Sequence, residues 1–188
     1  MNVRMIPYAW HDGVPTFKDS EIMALYEQMQ ADGTAKASFH DGTVNSAAEF
    51  LQAMKGPENW LYVFLAEGAG AIGIGWINQV KFKSAAGHFC FFSSVWGRKD
   101  LSDIGNWGVQ RLLRMTDRNG EYLFDMFWGL IPAENKIAVK FVEKAGGYFV
   151  GRLPHGLWSE RLQQTVDGIL FYFIRDGGEY EGVYQGCH

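Results

Sequence analysis

An apolar run from Leu123 to Ile131 ends in a turn at Pro132, and Asn135 then opens a short amphipathic helix that stops at Gly146–Gly147. That helix carries its apolar stripe at Ala138, Phe141, Val142 and Ala145, spaced i, i+3, i+4 and i+7. An Asn just past the C-terminal end of a strand, at the mouth of a helix, stands where α/β proteins bind ligands. The wider stretch from Gly87 to Leu153 reads strand, loop, helix, strand, helix, strand.

The rest of the chain extends this pattern. Asn2 to Ile6 suits a short strand. Asp19 or Ser20 can cap a helix with Ile22, Leu25, Tyr26 and Met29 on one face. Gly33 to Asn45 reads as loop, and Ser46 to Met54 as a second helix capped by Asn45 or Ser46 and ended by Gly56–Pro57. Trp60 to Glu67 and Ala71 to Phe82 form a hairpin around Gly68–Ala69–Gly70. Ser84 to Gly87 turns into a strand over His88 to Val95. A helix follows from Ile104 to Asn119, with Asn119–Gly120 as its stop. The last strands fall at Tyr148 to Leu157 and Ile169 to Arg175, and residues 176–188 read as a loose tail. This mixed order is not the alternating one of a doubly wound sheet.

A chain of 188 residues, 47% hydrophobic and 20% charged, suits a single domain with a sizeable core. The formal net charge of −4 offers no basic footprint for nucleic acid and disfavours an anionic membrane surface. No apolar run is long enough to span a bilayer, and no leader-like segment opens the chain. Cys90 sits in an apolar strand pattern and Cys187 near the C-terminus, without metal-ligand spacing. No metal is therefore expected, and a reducing, cytoplasmic setting is.

The glycines Gly68, Gly70 and Gly73 match G-x-G-x-x-G directly after a strand. A dinucleotide site needs a helix N-terminus behind those glycines and an acid about 20 residues on. The following residues, IGIGWINQVKF, have strand character, so the motif reads as a hairpin turn.

The order of elements, with the Asn135 helix, resembles the GNAT acetyltransferase superfamily. The resemblance implies a mixed α/β (α+β) fold, with a mostly antiparallel sheet of about seven strands flanked by about four helices. Laid on the family's pyrophosphate loop without gaps, Val95 falls at the end of the strand and Ile104–Gly105 on the closing apolar-Gly pair. Asp100 falls where Gln or Arg is usual, and Asp103 where the first Gly is usual. Two acids there are costly: like charges about 4 Å apart repel by roughly 4 kcal/mol at an effective dielectric near 20. Arg98, Lys99, Arg111 and Arg114 are near in sequence, and Asp103 also suits a helix N-cap. Asn135 falls on the family's CoA-side Asn, or simply caps its helix, and Ala138, Lys144 and Gly146 keep the spacing.

The resemblance implies acetyl transfer from acetyl-CoA to a primary amine by direct attack, with a small-molecule or peptide acceptor and a homodimer as one assembly. Val95, Ile104, Gly105, Asn106, Asn135 and Phe141 are the implied cofactor-binding residues. Where many members carry a Tyr acid this chain has Val142, so Tyr148 is the nearby candidate acid. Where some place a Glu base it has Phe89, which leaves Ser93 and Ser94 as the polar groups late in that strand. Ser94 is the catalytic candidate of the two. His88 and Glu134 are weaker ones, and His11, His40 and His155 show no catalytic partner. The alternative is a GNAT-like domain without catalysis, acting as a ligand-binding or assembly module.

Overall fold

The computed structural model describes residues 2–176. Cys187 and the expected tail, apart from Asp176, lie outside them. Strand β1 (Val3–Pro7) is followed by a small ribbon, β2 (Trp10–His11) and β3 (Val14–Pro15). Helices α1 (Asp19–Ala31), α2 (Ala35–Ser38) and α3 (Ala47–Lys55) come next, then strands β4 (Trp60–Ala66), β5 (Gly70–Lys81) and β6 (Ser84–Phe91). Helix α4 (Leu101–Leu113), strand β7 (Met126–Pro132), helix α5 (Lys136–Lys144) and strands β8 (Tyr148–Ser159) and β9 (Gln164–Ile174) complete the described residues' elements. Seven strands form one sheet in the order β1-β4-β5-β6-β7-β9-β8. Only the β6–β7 pair is parallel.

Helices cover both faces of the sheet. Along β4, Leu61 and Val63 enter a core shared with α1 and α3, while Tyr62 and Phe64 enter a second core with α4. Alternate side chains of a strand point to opposite faces, so a strand covered twice is apolar throughout. That is why WLYVFLA shows no polar alternation. On α1 the buried residues are Ile22, Leu25, Tyr26 and Met29, the face expected from their spacing.

The caps follow local chemistry. Ser46 Oγ accepts from Glu49 N at 3.2 Å, and Glu49 Oε2 accepts from Asn45 N at 2.6 Å, so both cap candidates of α3 take part. On α1 the cap position falls on Lys18, one residue before the expected Asp19, because Glu21 Oε2 reaches back to Lys18 N at 2.7 Å. Gly68 and Gly70, with φ of 75° and 72°, form the β4–β5 turn, a backbone region that favours glycine.

Several boundaries depart from expectation, among them the starts of β7, at Met126 rather than Leu123, and of β9, at Gln164 rather than Ile169. Residues 33–45 include the one-turn helix α2. Strand β6 begins at Ser84 and ends at Phe91, because Asp32 at the end of α1 captures Ser93. Its two carboxylate oxygens accept from Ser93 N at 2.7 Å and Ser93 Oγ at 2.6 Å. Ser93–Val95 therefore turns as a 3-10 helix rather than continuing the strand. Helix α4 starts three residues before Ile104 and stops at Leu113. There Asp117 Oδ1 accepts from Asn119 N and Glu121 N at 2.8 and 3.0 Å, a local turn that competes with helix.

Helix α4 also holds the end of β9. Buried Gln110 donates to Ile174 O at 3.0 Å and accepts from Asp176 N at 2.9 Å. Arg175 donates to Leu113 O and Phe124 O at 2.6 and 2.7 Å, and stacks over Tyr122 at 3.7 Å.

Candidate active site

The sheet comes apart in the middle. Strands β6 and β7 pair at only three positions, Ser84–Met126, Ala85–Phe127 and Ala86–Trp128. Each keeps its outer partner well beyond that point, β6 with β5 to Phe91 and β7 with β9 to Pro132. Glycines mark the branch: a Cβ on Gly129 would lie 3.4 Å from Gly87 O. Past it, the inner backbone edges of both strands have no ladder partner among the described residues.

A cavity of about 480 Å³ occupies this gap. Gly105, Asn135 and Phe141 line it from the α4–α5 face. From the other face come His88, His40 and Asp41. The loop carrying His40 and Asp41 is bound to the β8–β9 hairpin: His40 Nδ1 donates to Trp158 O, and Glu160 N donates to His40 O, both at 2.8 Å.

Asn135 both caps and faces the site. Its Oδ1 accepts from Ala138 N at 3.1 Å, so its amide nitrogen keeps its donors. Phe141 packs against Phe89 and Phe91, with centroids 4.8 and 5.6 Å apart. Its ring fills the space over Gly105, where a Cβ would come within 2.7 Å of Cζ. Glycine at 105 thus allows α4 and α5 to close on this wall. Gly105→Val should overpack it and cost about 1–3 kcal/mol, read as a lower urea midpoint. A wild-type midpoint would mean that Phe141 moves aside freely.

The loop before α4 offsets one of its two acids. Arg98 Nε and Nη2 donate to the two oxygens of Asp100 at 2.9 and 2.8 Å. These hydrogen bonds from Arg98 hold the Asp100 carboxyl below the usual carboxylate range. The pair is neutral as a unit. Asp100, not Asp103, occupies the N-cap position, and Asp103 is an exposed acid of the first turn. Gly97, with φ of 77°, gives the loop its bend.

The remaining candidates are distributed unevenly. Val95 and Ile104 are buried in the core against α4, and Asn106 approaches Gly146. Ser94 is exposed on the 3-10 turn. Tyr148 is half-exposed and stacks on Tyr172 with centroids 5.1 Å apart, on the edge strand β8. Among the described residues, the walls of the cavity do not include Ser94 or Tyr148. Val142 lines the cavity and has no proton to give.

His88 is placed by the sheet. It lies opposite Trp76, stacked with centroids 4.8 Å apart and planes 6° apart. Its Nε2 meets Asn78 Oδ1 at 3.1 Å. Burial pushes the imidazole down to about 4, opposed by the charge of Asp41 and reinforced by His40. Asn78 precedes a bulge in β5, where one extra residue, Gln79 with φ of 49°, shifts the register. Asn78, Asn59 and Asp41 carry no sequence motif, and their placement depends on this register and on the loop after α2.

No protein-family profile matches the sequence, and neither does any curated protein. Solved structures do. A ribosomal L7/L12 alpha-N-protein acetyltransferase in complex with coenzyme A superimposes with a TM-score of 0.67 at 13% identity, over 86% of this chain and 93% of that one. Spermidine N-acetyltransferase from Vibrio cholerae, in complex with CoA and spermine, gives 0.65 at 14% identity, over 91% and 95%. A ribosomal-protein-S5-alanine acetyltransferase from Vibrio fischeri gives 0.64 at 13% identity, over 93% of each chain. The chain has the GNAT acetyltransferase fold.

Proposed function

We propose that this chain is one acyltransferase domain that moves an acetyl group from acetyl-CoA to a primary amine by direct attack. The parting of β6 and β7 carries the reading, since it leaves two unpaired backbone edges on either side of a cavity. An extended, amide-bearing arm can complete such edges as an added strand would. Gly105, Asn135 and Phe141 would lie against that arm. The neutral Arg98–Asp100 pair, and the orphan amides that open α4, would face the pyrophosphate. Acetyl-CoA would supply the activated acyl carbon when bound. The amine would enter from the face of His40, Asp41 and His88, between the α2–α3 loop and the β8–β9 hairpin. Its chemistry is that of the neighbours named above, which act on spermidine or on protein amino groups. Two features favour a second reading, a binding domain without catalysis: Val142 at the Tyr position and the exposed acid Asp103.

Calorimetry with acetyl-CoA separates the two. Micromolar binding is expected, and Asn135→Ala should weaken it about 2- to 10-fold, the worth of one hydrogen bond. Asn135→Ser keeps a capping oxygen, so a loss shared by both variants reports the amide rather than the helix. Absence of binding at millimolar acetyl-CoA would sink the enzyme reading.

A further inference from the structure

A chain of hydrogen bonds with fixed polarity ends at the cavity. Ala53 O accepts from Asn59 Nδ2 at 2.9 Å, and a carbonyl oxygen has no proton to give. Asn59 therefore turns Oδ1 toward Asn78, whose Nδ2 donates to it at 3.2 Å. Asn78 then presents Oδ1 to His88 Nε2 at 3.1 Å. An amide oxygen only accepts, so Nε2 carries the ring proton and Nδ1 keeps its lone pair.

Nδ1 has no hydrogen-bond partner among the described residues. It is not sealed in the core either: the sealed, unpartnered side-chain polar atom among those residues is the Tyr8 hydroxyl. His88 lines the cavity, and Trp76 covers one face of its ring. Along β6, Cys90 enters the α1–α3 core and Phe91 the α4 core. Side chains alternate, so His88 shares the Cys90 face, across the sheet from Phe141 but at the same gap.

We propose that His88 Nδ1 accepts a hydrogen bond from the acceptor amine, with Asn59 and Asn78 as positioning residues that fix its tautomer. The assignment rests on the acyltransferase reading and deepens it. The amine nitrogen bonds to the acyl carbon, and the C–S bond breaks with its electron pair on sulfur. The proton lost by nitrogen ends on that sulfur, so His88 takes up none overall. A hydrogen bond accepted from one N–H of the free-base amine leaves the nitrogen lone pair to meet the acyl carbon. Burial keeps the imidazole neutral, at about 4, so its lone pair is available across neutral pH.

The test uses the full chain with nitrogen-15 histidine, loaded with coenzyme A, and n-butylamine as the probe. Ring nitrogens with and without a proton resonate far apart. His88 should show a protonated Nε2 and a bare Nδ1, and the amine should move the Nδ1 resonance. In Asn78→Leu a fraction of the proton should shift to Nδ1. His88→Phe keeps the stack on Trp76, so it should bind coenzyme A like wild type. Its kcat/KM for butylamine acetylation should fall about 100-fold, and His88→Gln, which keeps an acceptor, should recover part of that. A protonated Nδ1 in wild type, an Nδ1 resonance indifferent to the amine, or full activity in His88→Phe each overturns the assignment. If coenzyme A binds and one of these is found, this assignment alone fails. If coenzyme A does not bind, the acyltransferase reading fails and takes it along.

Discussion

Trp76→Ala should lower the unfolding free energy by about 3–5 kcal/mol, the range for truncating a large buried aromatic. Trp76 is 4% exposed and stacks on both sides. Phe39, just after α2, lies against it at 5.3 Å with planes 18° apart, and His88 at 4.8 Å. Phe39 also meets Tyr26 and Phe50, at 6.3 and 5.9 Å. The indole therefore joins the α2–α3 loop to the sheet as well as filling a hole. Urea unfolding should show the loss as a lower midpoint. Trp76→Phe should recover a large part of it, because one ring can still support both neighbours. A loss below about 1 kcal/mol would mean that the core collapses onto the vacancy, contrary to the close packing of interiors.

A second large effect is expected with pH. The unfolded chain takes up a proton on the His88 imidazole near its ordinary 6.5, and the folded chain only near 4. Between these values unfolding binds a proton, so stability falls as the solution is acidified through the window. The full effect of a shift of this size is about 3 kcal/mol. Asp41 and His40, the charged and titratable groups that face His88, act on it in opposite directions, Asp41 raising and His40 lowering it, and both influences are contained in the value of about 4. Asp100, Asp117 and Asp167 are held below their ordinary value of 3.8, so their share is lost only at lower pH. Urea titrations of wild type and His88→Phe across the window isolate the histidine. Parallel curves would show that the ring takes its proton without resistance in the fold.

Much of the architecture is legible in the sequence, because apolar spacing is read one element at a time. The stripe on α1, the cap of α3 by Asn45 and Ser46, the β4–β5 hairpin and the Asn135 helix all follow from neighbours within a few residues. The misplaced boundaries have distant or competing causes. Asp32 ends β6 from the far end of α1, and Asp117 diverts the chain after Leu113 into a turn. The site was less legible for a sharper reason. The turn pairing Lys81 with Ser84, carried on without interruption, would set Trp76 opposite Phe89. The extra residue at Gln79 moves the register by one and brings His88 there instead. A one-residue slip changes which side chain faces which core, and nothing in the run INQVKFK announces it. The Arg98–Asp100 pair is a milder case. Both residues are visible in the loop, but only its fold shows that they cancel.

The parting of β6 from β7 has a mechanical side. The sheet amounts to two panels, β1-β4-β5-β6 and β7-β9-β8, joined along three residue pairs like doors on a short hinge. Backbone amides and carbonyls along the open jambs have no ladder partner until a guest supplies one. A guest that bridges both jambs would latch the doors as well as fill the opening. Slower amide exchange would then appear along β6 and β7 together, even though only one of them need carry most of the contacts.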